Sequence, residues 1–165
     1  NFDRVKCLYT NRLLKSEESC SSCDGVLWNK NLKVLIEFKN GNKIQKKDIH
    51  LKILNSLLIL CDINSCSIGD LRDELIYILV YNEVNNPITP EEIRQYEKLR
   101  DDEVQESINR NIISRYFCRI AKSEFVRYDL LKYKGLYFKE VHSYSQYEFE
   151  SWMCKLLSNC IFGII

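Results

Sequence analysis

Residues 23–41, CDGVLWNKNLKVLIEFKNG, contain a predicted β-hairpin on which the interpretation of the whole chain depends. Two apolar runs rich in strand-favouring residues flank the polar pair Lys30-Asn31, which has the length of a common hairpin turn. A two-residue turn fixes the pairing of every residue that follows it on either strand. The resulting register places Asp24, at the start of the first strand, directly opposite Glu37 in the second.

The hairpin predicts a divalent-metal site. Side chains alternate along a strand, so Glu37 and Lys39 lie on one face, which Asp24 shares. Opposed residues have Cβ atoms about 4.5–5.5 Å apart, so the two carboxylates would repel each other unless a cation lay between them. Mg²⁺ commonly takes one or two carboxylates and keeps several waters. The other side of the second strand is expected to face the core through Val34, Ile36 and Phe38.

An interpretation without any site is also open. Glu37 and Lys39 would then be surface residues of an amphipathic strand, and Asp24 a turn residue before Gly25. The meeting of two acids and a lysine on one face, followed by a lysine-rich helix start, favours the metal site.

The rest of the sequence predicts an α/β fold with a mixed sheet of about four strands flanked by helices. The predicted elements after the hairpin and its preceding helix at 2–16 begin with a helix at 46–61, a turn plus a short helix at 65–73 and a buried strand at 75–81. Helices from 89 to about 122 and at 126–134, a strand at 136–144 and a last helix capped by Ser145 follow. The second helix is expected to bury His50, Ile53, Leu54, Leu57, Leu58 and Cys61. The last is expected to bury Tyr147, Phe149, Trp152, Met153 and Leu156. A single domain over 1–165 is expected, with a core at 1–84, a helical insertion at 87–134, and a strand and helix at 135–165 that complete the core.

Composition excludes several classes of protein. A net charge of +1 is unlike that of a histone-type nucleic-acid binder, although seven lysines between Lys30 and Lys52 form a local basic stretch that could hold phosphate. Eight cysteines accompany only five glycines and two prolines, which favours a reduced, cytoplasmic protein over a disulfide scaffold. Cys20 and Cys23 form one C-x-x-C pair with no second pair to complete a zinc site.

No apolar run is long enough to span a membrane. The chain begins at Asn1, which fits either the loss of a few residues or a domain of a longer protein.

The hairpin resembles the PD-(D/E)xK nuclease superfamily, whose core is a helix, a hairpin carrying Asp and then Glu/Asp-x-Lys, a helix and a further strand. Cys23-Asp24-Gly25 resembles the first motif without its proline, and Ile36-Glu37-Phe38-Lys39 resembles the second. The resemblance covers about residues 2–84.

The resemblance implies a restriction-endonuclease-like fold and metal-dependent hydrolysis of phosphodiester bonds. DNA is the favoured substrate, and RNA stays open. It implies that Asp24 and Glu37 hold Mg²⁺ or Mn²⁺, with Glu18 or Glu17 as a further ligand, and that Lys39 orients or activates the attacking water. Nucleic acid would be held by residues near the start of the second helix, which are Lys43, Gln45, Lys46 and Lys47.

Two other functions stay open. The fold could bind nucleic acid or a partner protein without catalysis, which the near-neutral charge and the acidic stretch after Glu91 favour. It could also serve as an effector domain in a toxin or defence system. The oligomeric state is open, a homodimer included.

Overall fold

The computed structural model describes residues 1–14, 20–92, 94 and 125–162 of the 165-residue chain. Its elements, in chain order, are α1 (Phe2–Leu14), β1 (Gly25–Trp28), β2 (Lys33–Lys39), α2 (Lys46–Asn64), α3 (Ile68–Arg72), β3 (Leu75–Tyr81), the 3₁₀-helix η1 (Leu130–Tyr133), β4 (Glu140–Ser145) and α4 (Gln146–Phe162).

The four strands form one mixed sheet in the order β1-β2-β3-β4. The hairpin strands β1 and β2 are antiparallel, whereas β2, β3 and β4 run parallel to one another. Parallel neighbours require crossover connections, and helices cover both faces of the sheet as a result. The predicted α/β class with a four-stranded mixed sheet is confirmed. Among the described helices, none combines the length and apolar character needed to cross a membrane.

The hairpin register is the predicted one. Gly25 pairs with Ile36 and Trp28 pairs with Lys33, and the amide of Asn29 donates to the carbonyl of Leu32 at 2.9 Å. The Asn29 side chain stabilises the turn further, because its Oδ1 accepts hydrogen bonds from the amides of Asn31 and Leu32. Continued by one residue beyond β1, this register puts Asp24 opposite Glu37.

Both faces of the sheet are buried, which corrects one expectation. The main core lies on the face that carries Glu37, here called the α2 face, and includes Leu35, Tyr77 and Leu79 from the sheet. The face expected to be the core side, here called the α4 face, forms a smaller cluster around Val34, Ile78 and Val80. On that face Phe38 is 49% exposed. Alternation along β2 identifies two faces but does not show which one carries the larger core, because that depends on the helices that pack on each face.

The buried side of α2 also differs from the expected one. Ile53 and Leu57 are buried as predicted, but Leu54 and Leu58 are 40% and 62% exposed. The residues that pack into the core are Ile49, Ile53, Ser56, Leu57, Ile59 and Leu60. The apolar residues of α2 are spread around most of its circumference, so helical spacing alone allows more than one buried side. Tertiary packing determines which side is buried.

The region before β4 departs most from expectation. Tyr128 and Asp129 have positive φ angles of 61° and 57°, a conformation that cannot continue a helix, so the helix expected at 126–134 is reduced to η1. The strand expected from Leu136 begins at Glu140, because residues 135–137 form a turn in which Gly135 has a φ of 75°. Residues 90–92 are helical, as the Thr89 cap predicts, and the rest of the helices expected up to residue 122 lies outside the described residues.

The last helix begins as predicted but buries less of its apolar stripe. The Glu148 amide donates to Ser145 Oγ at 3.3 Å, and the Ser145 amide donates to the Glu148 carboxylate at 2.7 Å, which completes a capping box. Phe149 and Trp152 pack on the α4 face. Tyr147 is 77% exposed, so its expected place in the core is wrong.

A second capping box begins α3 and yields a testable stability difference. The Asp70 amide donates to Ser67 Oγ and the Ser67 amide donates to the Asp70 carboxylate. We expect Ser67→Ala to lower the free energy of unfolding by about 1 kcal/mol, because the Asp70 amide loses its acceptor and the Asp70 carboxylate loses the bond from the Ser67 hydroxyl. Urea denaturation measures the difference. Ser158→Ala, at an exposed helical position, is the control, since it loses only the bond from its hydroxyl to the Cys154 carbonyl and no helix cap. Equal stability of Ser67→Ala and the wild type would contradict the capping argument.

Candidate active site

Asp24 and Glu37, here called the carboxylate pair, lie side by side at one end of the hairpin and share a lysine. Lys52, from α2, places its Nζ 2.7 Å from Glu37 Oε1 and 3.2 Å from Asp24 Oδ1. Lys39 pairs with the same Glu37 oxygen at 2.8 Å. The Glu37 side chain has no exposed surface, whereas about a third of the Asp24 side chain is exposed. The pair therefore spans the boundary between core and solvent.

One buried oxygen of this cluster has no hydrogen-bond partner among the residues that the structure describes. It is Glu37 Oε2, and within the same residues the buried hydroxyl of Tyr77 in the adjacent strand β3 is likewise unpartnered. Burial raises the pKa of Glu37, and the hydrogen bonds from Lys39 and Lys52 only oppose this effect. Burial also raises the pKa of Tyr77, and the negative charge of nearby Glu37 contributes. Buried polar groups are almost always hydrogen-bonded, so an unsatisfied carboxylate oxygen here indicates a position suited to a ligand.

Backbone contacts hold Asp24 in place. Its Oδ2 accepts a hydrogen bond from the Phe38 amide at 2.7 Å, across the hairpin. Its carbonyl accepts from the Phe2 amide at the start of α1, at 3.0 Å. The preceding Cys23 amide donates to Ser56 Oγ of α2 at 2.8 Å. Residues of β2, α1 and α2 thus contact Asp24 or its immediate neighbour, which holds the position as rigidly as a binding site requires.

Three residues of this arrangement were not predicted as site residues. Lys52 bridges the carboxylate pair, Ser56 binds the Cys23 amide, and the Asn55 side chain donates to the Ser21 carbonyl at 2.9 Å. All three lie along one side of α2 at helical spacing. A polar stripe in an otherwise apolar helix was visible in the sequence, and it is the signal that could have identified them.

The carboxylate pair lies at the edge of the sheet where parallel strands end. Glu37 and Lys39 are near the end of β2, and Lys39 is level with Tyr81, the last residue of β3. In open α/β sheets, ligands bind in the crevice outside the carboxyl ends of the strands. The location therefore agrees with the general rule for sites on such sheets.

The residues predicted to bind nucleic acid lie around the start of α2 and are all exposed: Lys43, Gln45, Lys46 and Lys47. Gln45 occupies the N-cap position without a side-chain capping bond. Lys46 pairs with Asp129 at 2.7 Å, an exposed ion pair of little energetic weight. Within the described residues, no hydrogen bond or ion pair joins these four side chains to the carboxylate pair. Glu17 and Glu18 lie outside the described residues.

The donor set suits a metal ion that keeps most of its waters. Among the described residues, no group of three or more His, Cys, Asp or Glu side chains is arranged to hold a metal. The carboxylate pair supplies two acidic ligands, and Glu37 Oε2 has unused acceptor capacity. Magnesium sites commonly use one or two carboxylates, so the residues present fit such an ion.

His50 has a structural role on α2. Its Nε2 lies 3.3 Å from the Tyr128 carbonyl, and its ring packs edge-on against Tyr133. Burial lowers the pKa of His50, which favours the neutral ring. These contacts hold the turn at residues 128 and 129 against the helix.

The two cysteines of the C-x-x-C pair differ in their surroundings. Cys20 is exposed, whereas Cys23 is fully buried and its burial raises the thiol pKa to about 12. Cys61 packs against the core as expected, and Cys154 on α4 is exposed.

This difference predicts selective alkylation. At pH 8 only about one Cys23 in ten thousand would be a thiolate, and the reagent cannot reach the thiol in the folded protein. We expect iodoacetamide to modify Cys20 and Cys154 in the native protein while sparing Cys23, as read by peptide mass spectrometry. Urea-unfolded protein, in which all cysteines react, is the control. Native modification of Cys23 at the rate of Cys20 would contradict its burial.

Comparison with known proteins adds no relative: no family model, curated protein or solved structure matches the chain.

Proposed function

We propose that this chain is a metal-dependent nuclease that hydrolyses phosphodiester bonds, with DNA the preferred substrate. The observation that carries the proposal is the buried Glu37 carboxylate, which faces Asp24 in the register expected for a metal site and has one oxygen without a partner among the described residues. A buried unsatisfied carboxylate is costly to stability, and such costs are typical of functional sites.

Asp24 and Glu37 would hold the ion, which when bound polarises the scissile phosphate and lowers the pKa of a coordinated water. Lys39, beside Glu37, would orient the attacking water and offset negative charge that develops on the phosphate oxygens. The exposed lysines near the start of α2, Lys43, Lys46 and Lys47, would hold the phosphate backbone together with free helix amides.

A cleavage assay tests the proposal. The wild-type protein is incubated with double-stranded DNA, single-stranded DNA and RNA in Mg²⁺, in Mn²⁺ and in a chelator. We expect metal-dependent cleavage that Asp24→Asn and Glu37→Gln each abolish, because both variants keep the side-chain shape and remove one anionic ligand. Cleavage that persists in the chelator or in both variants would refute the assignment.

A second function has one observation in its favour. Both members of the carboxylate pair are ion-paired with Lys52, so the cluster can also serve as a structural link between the hairpin and α2. A nuclease-like fold that only binds nucleic acid or a protein partner would need no metal. Absence of cleavage by the wild type, combined with DNA binding in fluorescence anisotropy that a chelator does not change, would establish this alternative.

A further inference from the structure

We propose that the Lys52 ammonium occupies the place of the divalent ion between Asp24 and Glu37 and must leave when the metal binds, so that Lys52 sets the metal affinity of the site. This inference rests on the proposed function, since it concerns the same carboxylate pair. It assigns a role to a residue on α2 that is outside the acidic motif.

The position of the Lys52 ammonium carries the argument. Its Nζ is within 2.7 Å of Glu37 Oε1 and 3.2 Å of Asp24 Oδ1, and so bridges acids from the two arms of the hairpin. A divalent ion held between the two carboxylates through these same oxygens would occupy this place, with Glu37 Oε2 as a further oxygen of the same carboxylate. Two cations held there together would repel each other at close range in a largely buried environment. The metal and the bridging ammonium therefore exclude each other.

The charge balance of the cluster leads to the same conclusion. Two carboxylates, from Asp24 and Glu37, meet two ammonium groups, from Lys39 and Lys52, and these four charges sum to zero. A divalent ion entering a neutral cluster gains little from electrostatics. With Lys52 withdrawn, the remaining three groups carry one negative charge, and the ion is attracted.

The structure also gives Lys52 a route out of the pair. Its side chain is 21% exposed, and the neighbouring Asp24 side chain is 34% exposed, so the ammonium lies near the surface rather than deep in the core. A lysine carries its charge on a flexible four-carbon stem with strongly hydrated donors. Rotation of that stem moves the charge into water, or toward an incoming phosphate, without movement of α2.

The test is metal binding, measured without substrate. Mn²⁺ is titrated by calorimetry into the wild-type protein, Lys52→Met and Lys30→Met. Methionine keeps an unbranched stem and removes the charge, while Lys30→Met makes the same change in net charge at the exposed hairpin turn. We expect Lys52→Met to bind Mn²⁺ at least about tenfold more tightly than the wild type, and Lys30→Met to match the wild type. Glu37→Gln in the Lys52→Met background should remove the binding.

The outcomes separate this inference from the proposed function. If the wild type binds Mn²⁺ and Lys52→Met binds equally or less tightly, Lys52 is not a competitor and only this inference fails. If Lys52→Met binds and the wild type does not, the inference holds and the native chain is not a metal-dependent nuclease. If neither protein binds, both proposals fail.

A measurement on the wild type covers the case in which Lys52→Met does not fold. The Nζ resonance of Lys52 is followed by NMR while Mg²⁺ is added. We expect the resonance to move toward that of a hydrated lysine as the metal binds. A resonance that does not move at saturating Mg²⁺ would overturn the inference.

Discussion

Lys39→Ala is expected to lower the rate of phosphodiester cleavage by at least about a hundredfold, the usual cost of removing one group that stabilises transition-state charge. The lysine lies beside the buried Glu37, 2.8 Å from Oε1, and is mostly covered by protein. In the proposed reaction its ammonium is placed to orient water and to balance charge on the phosphate. Single-turnover cleavage of labelled DNA in Mg²⁺ measures the change.

The fold should survive this substitution, which makes the prediction specific. Glu37 keeps its ion pair with Lys52 at 2.7 Å, so the buried carboxylate is not left alone. Circular dichroism and thermal unfolding check the fold. Lys155→Ala, at an exposed position of α4, is the matched control that should cleave as the wild type does. A folded Lys39→Ala protein with undiminished cleavage would remove Lys39 from the mechanism.

Arg127→Ala is expected to lower the free energy of unfolding by about 3–5 kcal/mol, the range for breaking a buried charge pair. The Arg127 guanidinium is buried and donates to both carboxylate oxygens of Glu92, each at 3.0 Å. It also donates to the carbonyls of Asn86 and Pro87. Alanine would remove the Arg127 donor from Glu92 Oε1 and from both carbonyls, while Glu92 Oε2 would keep its hydrogen bonds from Thr89.

Aromatic packing adds to the expected loss. The guanidinium carbon lies 4.6 Å from the Tyr81 ring centroid and 4.9 Å from that of Tyr128, so alanine would also remove two cation–π contacts and open a cavity. Urea denaturation measures the change. Arg94→Ala is the matched control, since Arg94 is 70% exposed and forms an ion pair with Glu91 one helical turn away; its loss should cost little. Similar stabilities for the two variants would contradict the structural role of Arg127.

Local rules explain the parts of the fold that were predicted well. The hairpin register followed from a two-residue turn and the two-residue period of strands, and both are properties of adjacent residues. The boundaries of β3, Leu75–Tyr81, followed from an uninterrupted apolar run. The starts of α2 and α4 followed from breakers and caps. From these elements the sequence placed Asp24, Glu37 and Lys39 together.

Expectations that depended on long-range packing were less accurate. Leu54 and Leu58 of α2 were expected in the core and are exposed, because the apolar surface of that helix exceeds what the sheet can cover. The predicted helix at 126–134 gave way to the left-handed turn at Tyr128 and Asp129, which the contact between His50 and the Tyr128 carbonyl holds in place. Local propensity contains no information about such partners.

The amino-acid pattern alone established that two acids and a lysine share one face of a hairpin, since side-chain alternation and turn length require nothing beyond neighbouring residues. Folding of the distant helix α2 against the sheet determined that this face is buried and that Lys52 pairs with both acids. It also left Glu37 Oε2 without a partner in the described part of the chain. Lys52 is fifteen residues from Glu37 in the chain, and a charge that packing brings from so far away cannot be read from local periodicity.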